Sequence, residues 1–286
     1  MKKVLVTGAT GFIGNYVIKE LLAQGCKVIA TSSNEIKAKQ AAWYIHVKHI
    51  PFNLAAFNDT INYYSFFDKP DLVIHLAWEG LPNYKAAFHV EENLPRHLAF
   101  LKNIVSNGLK DLLVTGTCFE YGMKEGCLTE TMETEPANPY AIAKDQLRRK
   151  LEIFAVEKQI HFKWVRLFYM YGKGQSANSL FSQLDKALAN GETVFNMSGG
   201  EQERDYLPVE QVAANIVAIA LQNKLEGIIN CCSGRPIAIK DLVQQYLAEK
   251  KQTIKLNLGY YPYTDYEPMK FWGDNRKLKS VFAVKN

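Results

Sequence analysis

The sequence predicts an α/β fold: an open, doubly wound parallel sheet followed by a smaller C-terminal α/β region. Three observations predict it. Short β-rich apolar runs alternate with amphipathic helical patterns up to about residue 170. A glycine-rich turn joins the first strand to the first helix. Beyond residue 170 the alternation loosens, and glycine, proline and aromatic residues become frequent, as in Tyr260-Tyr261-Pro262-Tyr263. Strands that alternate with helices need crossover connections, and these cover a parallel sheet on both faces.

The elements follow in order. Val4-Leu5-Val6 is the first strand. Phe12 to Gln24 reads as a helix, with Ile13, Val17, Leu21 and Leu22 on one side and Gly25 ending it. Val28-Ile29 starts the second strand, and Leu72-Val73-Ile74 is another. Residues 84–105 read as a long helix that Pro95 should break or kink. Leu112-Leu113-Val114 is strand, residues 140–158 are helix, and Phe162 to Leu167 is strand again. The later part is expected to pack on the carboxyl edge of the sheet, where open α/β sheets bind ligands.

The bulk numbers bound the function. A chain of 286 residues suffices for one large domain or two intimate ones. Its 48% hydrophobic and 22% charged content are those of a soluble globular protein. The net charge of +5 is scattered. The densest basic cluster, Arg148-Arg149-Lys150, lies in a helical pattern and reads as a solvated face, so no nucleic-acid partner is expected. No apolar run approaches a membrane span, and Val4 to Val6 is too short for a signal segment. Five cysteines without metal-ligand spacing, with Cys231-Cys232 as buried strand residues, point to a reduced, cytoplasmic setting and no metal.

"TGATGFIG" carries Gly8, Gly11 and Gly14 between a strand and an amphipathic helix. Gly8 permits the tight turn, Gly11 lets backbone approach a pyrophosphate, and Gly14 lets the helix pack close to the sheet. A dinucleotide site is expected here, lined also by Thr10, Phe12 and Ile13. The second strand ends in "ATSSN", with no acid until Glu35. Ser32, Ser33 and Asn34 could hydrogen-bond a 2′-phosphate and Lys37 could neutralise it, so NADP is the expected cofactor. The alternative is NAD, served by Glu35 or by backbone.

Tyr-x-x-x-Lys occurs five times, at Tyr44/Lys48, Tyr140/Lys144, Tyr169/Lys173, Tyr246/Lys250 and Tyr266/Lys270. Context selects one. "YIHVKHI" looks extended, Tyr169/Lys173 spans a glycine turn, and Tyr266/Lys270 contains a proline. Tyr246/Lys250 has no hydroxyl-bearing strand end nearby. "ANPYAIAKDQL" instead opens a helix, with Asn138 as N-cap and Pro139 in its first turn. Tyr140 and Lys144 then share a face. The preceding strand ends at Thr115 and Thr117. A phenol titrates near about 10, and bringing it to neutrality takes about 4 kcal/mol of differential stabilisation. Lys144 and an oxidised nicotinamide would both favour the phenolate, and Thr117 would hold the substrate oxygen beside Tyr140.

These segments, with "VIHLAWEG", "ENL" at 92–94, "TGTCFEYG", "RLFYMYG" and "RDYLPVEQVA", resemble the extended short-chain dehydrogenase/reductase superfamily. The likeness is to its nucleotide-sugar branch, the NAD-dependent epimerase/dehydratase family, over residues 1–230. It implies a Rossmann domain at 1–170 with a returning segment near 207–232, and a sugar-nucleotide region at 171–206 and 233–286. It places Thr117, Tyr140 and Lys144 on catalytic positions. It puts Asn53, Leu54, Leu76, Ala77, Trp78, Asn93, Thr115 and Leu167 beside the cofactor. Trp78, Tyr84, Thr117, Cys118, Tyr169, Asn178 and Arg204 fall beside a nucleotide-diphosphate sugar, with Arg204 gripping the diphosphate. Members often dimerise through two long helices, here near 84–107 and 140–158. Asn53 stands where many members place an aspartate, and Tyr169 replaces a frequent asparagine.

The related 4,6-dehydratases place Asp-Glu directly after the catalytic hydroxyl, as acid and base. Here Cys118 and Phe119 hold those positions, and Glu120 is expected to point away from Phe119. Dehydration is therefore not expected. The segment "HLAWEGLPNY" resembles reductases of deoxysugar biosynthesis for surface polysaccharides. The expected reaction is NAD(P)H-dependent reduction of the C4 ketone of a nucleotide-diphosphate-4-keto-6-deoxyhexose. A 4-epimerase with tightly bound NAD is the alternative, and a non-catalytic NADP-binding redox sensor is a third reading.

Overall fold

The computed structural model describes residues 1–265 and 267–283. Tyr266 of the fifth Tyr-x-x-x-Lys match, and residues 284–286 of the expected sugar-nucleotide region, lie outside them. Seven strands form one parallel sheet: β1 (Lys3–Thr7), β2 (Lys27–Thr31), β3 (Lys48–His49), β4 (Leu72–His75), β5 (Asp111–Thr117), β6 (His161–Leu167) and β7 (Gly227–Cys231). Their spatial order is β7-β6-β5-β4-β1-β2-β3. This is the doubly wound Rossmann arrangement, and its strand order reverses between β1 and β4.

The period-two alternation of the strands sorts the core into two layers. Val4, Val6, Val28, Ala30, Leu72, Ile74, Leu113, Val165 and Ile229 face one side. There they meet α1 (Phe12–Ala23) and a helix at Val209–Leu221. Leu5, Ile29, Val73, Leu112, Val114, Phe162 and Trp164 face the other. These meet α2 (Leu94–Ser106) and α3 (Pro139–Lys158). Both faces are covered, so Val4-Leu5-Val6, Leu72-Val73-Ile74 and Leu112-Leu113-Val114 read as unbroken apolar runs. Each fully buried aliphatic or aromatic side chain contributes about 1.5–3 kcal/mol.

Three expectations change. The helix expected from residue 84 begins later: a π-helical turn at His89–Asn93 leads into α2, and Pro95 sits in the first turn of α2. The amide that proline lacks would have no helical partner there, so no kink is needed. "YIHVKHI" is not one extended run, since Tyr44–His46 forms a 3₁₀ turn before β3. Arg148 is not on a solvated face. It is buried, bonded to Asp145 (2.7 Å) and Glu152 (2.6 Å), with Glu120 3.7 Å away.

Smaller elements stand at the carboxyl edge of the sheet. Tyr169–Tyr171 pairs with Tyr206–Pro208, and Phe271–Gly273 with Gly126–Leu128. Helices Leu180–Ala189 and Ile239–Glu249 share a separate core through Phe181, Leu184, Leu242 and Val243. Buried Asp205 accepts backbone N–H groups from Ser233 (2.6 Å), Gly234 (2.8 Å) and Gly273 (3.3 Å). This joins the segment after β6 to the C-terminal one. No helix among the described residues is long and apolar enough to cross a membrane.

Candidate active site

β1 leads into a turn at Gly8, whose φ of +67° lies in the left-handed region. A Cβ on Gly8 would stand 2.9 Å from the Ala77 amide nitrogen, and one on Gly14 would overlap the Gly8 carbonyl. The turn is a cradle that side chains would fill. No side chain caps the N-terminus of α1, so its first N–H groups are available to an anion. A cleft of about 220 Å³ opens above it, lined by Thr7, Gly8, Thr10, Gly11, Thr31, Ser32, Ser33, Phe52, Leu54, Leu76, Ala77, Trp78, Glu79 and Phe100. The buried Thr31 hydroxyl in this cleft has no hydrogen-bond partner among the described residues. Glycine cradle, open helix terminus and orphaned hydroxyl together fit a dinucleotide.

Several expected cofactor residues do not line this cleft. Asn53 is exposed, and its Oδ1 accepts from the Ala55 amide (3.0 Å) to cap a 3₁₀ turn. Asn93 is buried and donates to the Glu79 carbonyl (3.1 Å). Thr115 donates to the His75 carbonyl (3.3 Å). Leu167 and Ile13 pack against the first core layer, and Phe12 meets Tyr16 edge to face.

Thr117, Tyr140 and Lys144 come together. Thr117 closes β5, and its Oγ1 caps the following turn by accepting the Phe119 amide (3.3 Å). Glu120 reciprocates by accepting the Thr117 amide (2.9 Å), which completes a capping box. Asn138 caps α3 through the Ala141 amide (2.9 Å), and Pro139 occupies its first turn. Thr117 faces the Tyr140 hydroxyl closely enough to favour its ionised form. Lys144, one turn further on, places its Nζ 4.4 Å from the Trp78 ring centroid. Elsewhere, the Tyr246 hydroxyl (2.8 Å) and Lys250 (2.6 Å) converge on Asp185 instead of on a hydroxyl-bearing strand end.

Burial dominates the electrostatics of the phenol and of the ammonium. Burial raises the Tyr140 phenol above its ordinary range, and Thr117 only partly offsets this. Burial also lowers Lys144 to about 7. The Lys144 Nζ lies over the Trp78 indole.

The absence of an acid at 118–119 has a counterpart beneath it. Glu120 is fully buried and accepts from Arg166 Nε (2.7 Å) and Trp164 Nε1 (3.0 Å). It is bound inside the core, while the Phe119 ring packs against Tyr84 (5.2 Å) and Tyr169 (6.3 Å). Burial pushes the Cys118 thiol up, which leaves it inert as a base.

On the substrate side, the Tyr84 carbonyl accepts the Tyr140 amide (3.1 Å), and its ring lies 5.5 Å from that of Tyr140. The Trp78 ring is 6.0 Å from Tyr140. The buried Tyr169 hydroxyl has no partner among the described residues. Arg204 does not stand free to grip a diphosphate: it is buried, with Nη2 3.2 Å from Glu267 and Nη1 donating to the Glu203 and Met269 carbonyls (3.0 Å each). Asn178 is exposed, ahead of helix Leu180–Ala189. The negative charge of Glu267 contributes to raising Cys118, Tyr169 and Tyr206. It is the carboxylate the sequence reading missed near this pocket.

The sequence reading gives no role to Glu79 or Glu267, and it places Glu120 only as pointing away from Phe119. Glu120 had a readable signal in the Thr-x-x-Glu spacing of a capping box. Glu267 meets Arg204 across 63 residues, and no local pattern announces that.

The family model "NAD dependent epimerase/dehydratase family" matches residues 4–232. The chain is similar to the dTDP-6-deoxy-L-talose 4-dehydrogenase (NAD(+)) of Aggregatibacter actinomycetemcomitans, 30% identical over 276 residues, 94% of this chain and 98% of that one. Its fold is that of the UDP-glucuronic acid 4-epimerase from Bacillus cereus in complex with UDP-glucuronic acid and NAD (TM-score 0.82, 20% identity, 99% and 93% of the two chains). A further match is the UDP-glucose-4-epimerase from Stenotrophomonas maltophila with bound NAD and formylated UDP-arabinopyranose (TM-score 0.85, 19% identity, 99% and 93%).

These relatives overturn the expectation of NADP, since both solved structures hold NAD and the dehydrogenase is named for NAD(+). The physical reason lies at the end of β2. Ser32 Oγ sits 3.1 Å from His49 Nε2, and Asn34 Oδ1 caps the Lys37 amide (2.8 Å). Glu35 pairs with Lys39 (2.8 Å), and Lys37 is exposed and does not line the cleft. Among the described residues, no lysine or arginine lines the cleft. By a family match over four-fifths of its length and a 30% identical relative, the chain belongs to the NAD-dependent epimerase/dehydratase family of short-chain dehydrogenase/reductase enzymes.

Proposed function

We propose that this enzyme moves a hydride between NAD and C4 of a nucleotide-diphosphate hexose. The observation that carries the proposal is the buried meeting of Thr117, Tyr140 and Lys144 beside a dinucleotide-shaped cleft. NAD, when bound, accepts or supplies the hydride. Tyr140 exchanges the proton of the C4 oxygen, and Thr117 holds that oxygen against the phenol. Lys144 supplies positive charge one helical turn away. Cys118 and Phe119 leave no acid–base pair beside Thr117 for loss of the 6-hydroxyl. Arg204 reaches the diphosphate by exchanging Glu267 for phosphate oxygens, and the unpartnered Tyr169 hydroxyl meets the sugar.

Two overall reactions share this step. The solved relatives favour a 4-epimerase that keeps its NAD and returns the hydride to the other face of C4. The move from NADP to NAD removes one argument for net reduction and adds weight to that reading. Net oxidoreduction at C4 of a 6-deoxyhexose nucleotide is favoured by one observation, the 30% identity to a 4-dehydrogenase. Incubation with a panel of 4-keto and 4-hydroxy sugar nucleotides, followed by mass spectrometry, chromatography and NADH absorbance, separates the two. Stoichiometric cofactor turnover identifies the dehydrogenase, and interconversion without it identifies the epimerase. If neither occurs with any nucleotide sugar, the proposal fails. A redox-sensor role would instead leave biological activity intact in Tyr140→Phe. The exposed Ile153 (73%) and Val156 (81%) of α3 support dimerisation through that helix.

A further inference from the structure

Glu79 lies in the loop after β4 and lines the same 220 Å³ cleft as Gly8, Thr31, Ser32 and Ser33. A buried chain of side chains fixes it. Thr7 Oγ1 accepts the Ala77 amide (3.2 Å) and donates to His75 Nδ1 (2.9 Å), a direction set by the carboxylate acceptor at the far end of the chain of side chains. His75 Nε2 then donates to His97 Nδ1 (2.7 Å), and His97 Nε2 is left to donate to Glu79 Oε2 (3.2 Å). Both imidazoles are fully buried, and burial lowers both below the ordinary histidine range, which keeps them neutral. The N–H of His97 holds the Glu79 carboxyl below its usual range. The Asn93 side chain anchors the backbone of the same residue by donating to its carbonyl (3.1 Å). The chain has one polarity from end to end, and it delivers a fixed, ionised carboxylate to the cofactor cleft.

The acid that NAD sites usually carry at the end of their second strand is missing here. Glu35, the nearest candidate, is paired with Lys39 and does not line the cleft. We infer that Glu79, from the loop after β4, takes over that task and is the residue that discriminates NAD from NADP, with His97 and His75 positioning it. A 2′-phosphate would bring like charge into a cleft that already holds a carboxylate. A 2′-hydroxyl would not. The orphaned Thr31 hydroxyl in the same cleft is a further polar group that a ribose can satisfy.

This inference rests on the NAD-dependent reading, and the test separates the two. Dissociation constants for NAD and NADP are measured by calorimetry on the full-length wild type and on Glu79→Gln. The variant removes the charge but keeps an acceptor for His97, and the side chain is 53% exposed, so the fold tolerates it. Wild type should bind NAD at least about tenfold more tightly than NADP. Glu79→Gln should tighten NADP by about tenfold and change NAD by less than about threefold. An unchanged NAD/NADP ratio in Glu79→Gln, or equal losses for both, overturns the role of Glu79 while leaving the cofactor reading intact. Failure of the wild type to bind either dinucleotide overturns both.

Discussion

Replacing Lys144 with methionine isolates the effect of burying an ammonium in the active site. Lys144 is 2% exposed and titrates at about 7 in the ligand-free protein, because burial disfavours its charge. Its ordinary value is near about 10.4. The sign follows from proton counting. Between those two values the unfolded chain holds a proton that the folded chain has released, so wild-type stability rises with pH across the window. Below about 7 the charge persists in both states and the destabilisation is full. Integrating from pH 6 to pH 9 gives a gain of about 2–3 kcal/mol from this one group. The stacking of Nζ on Trp78 at 4.4 Å opposes the trend by only about 0.5–2 kcal/mol, so desolvation wins. Methionine keeps an unbranched apolar stem and does not titrate. Urea unfolding of both proteins at pH 6, 7.5 and 9 should show Lys144→Met more stable at pH 6, with its advantage shrinking by that amount at pH 9. Subtracting the two proteins cancels the titrating groups that do not feel the Lys144 charge; His75, His89 and His97, which it lowers, do not cancel. A difference that stays constant with pH, or widens as pH rises, would refute the reasoning.

Other changes probe other links. Thr117→Val should lower turnover by about 10²–10³ while leaving NAD affinity within about threefold, because the hydroxyl acts on the reacting oxygen. Parallel losses in steady-state rate and calorimetric affinity would contradict that role. Glu120→Gln leaves the Arg166 guanidinium buried without its carboxylate and should cost about 3–5 kcal/mol in urea unfolding. A loss below about 1 kcal/mol would show that the pair contributes little beyond its neutral hydrogen bonds. Gly8→Ala forces an L-residue into the left-handed region at about 1–2 kcal/mol and brings a methyl group to 2.9 Å from the Ala77 nitrogen. Its NAD affinity should fall steeply, and calorimetry showing wild-type binding would exclude close cofactor approach at this turn.

The sheet was legible because its strands are buried on both faces, and Val4-Leu5-Val6 and Leu72-Val73-Ile74 therefore appear as plain apolar runs. Tyr140/Lys144 could be picked from five matches because a local cap, Asn138-Pro139, and a strand end stand beside it. What failed depended on distant partners. Pro95 reads the same whether it kinks a helix or starts one. Arg148 looks like a solvated charge until Glu120 and Glu152 are placed around it. Arg204 was recognised by its motif, but the anion that holds it comes from the far end of the chain. Ser32 and Asn34 suggested a phosphate site because short polar side chains suit either a ligand or a local cap, and here His49 and the Lys37 amide engage them.

The cleft at residues 8 and 77 and the candidate catalytic and substrate residues 117, 140 and 204 come from distant parts of the chain, and parallel strands cannot be closed by local hairpins. No contiguous fragment short of most of the chain can display the whole pocket, so a half-synthesised or partly melted molecule presents no complete binding surface. A nucleotide present at a hundred times its dissociation constant would then add about 2.7 kcal/mol to the entire cooperative unit at once. Cofactor supply thereby becomes a determinant of how long each molecule survives in the cell.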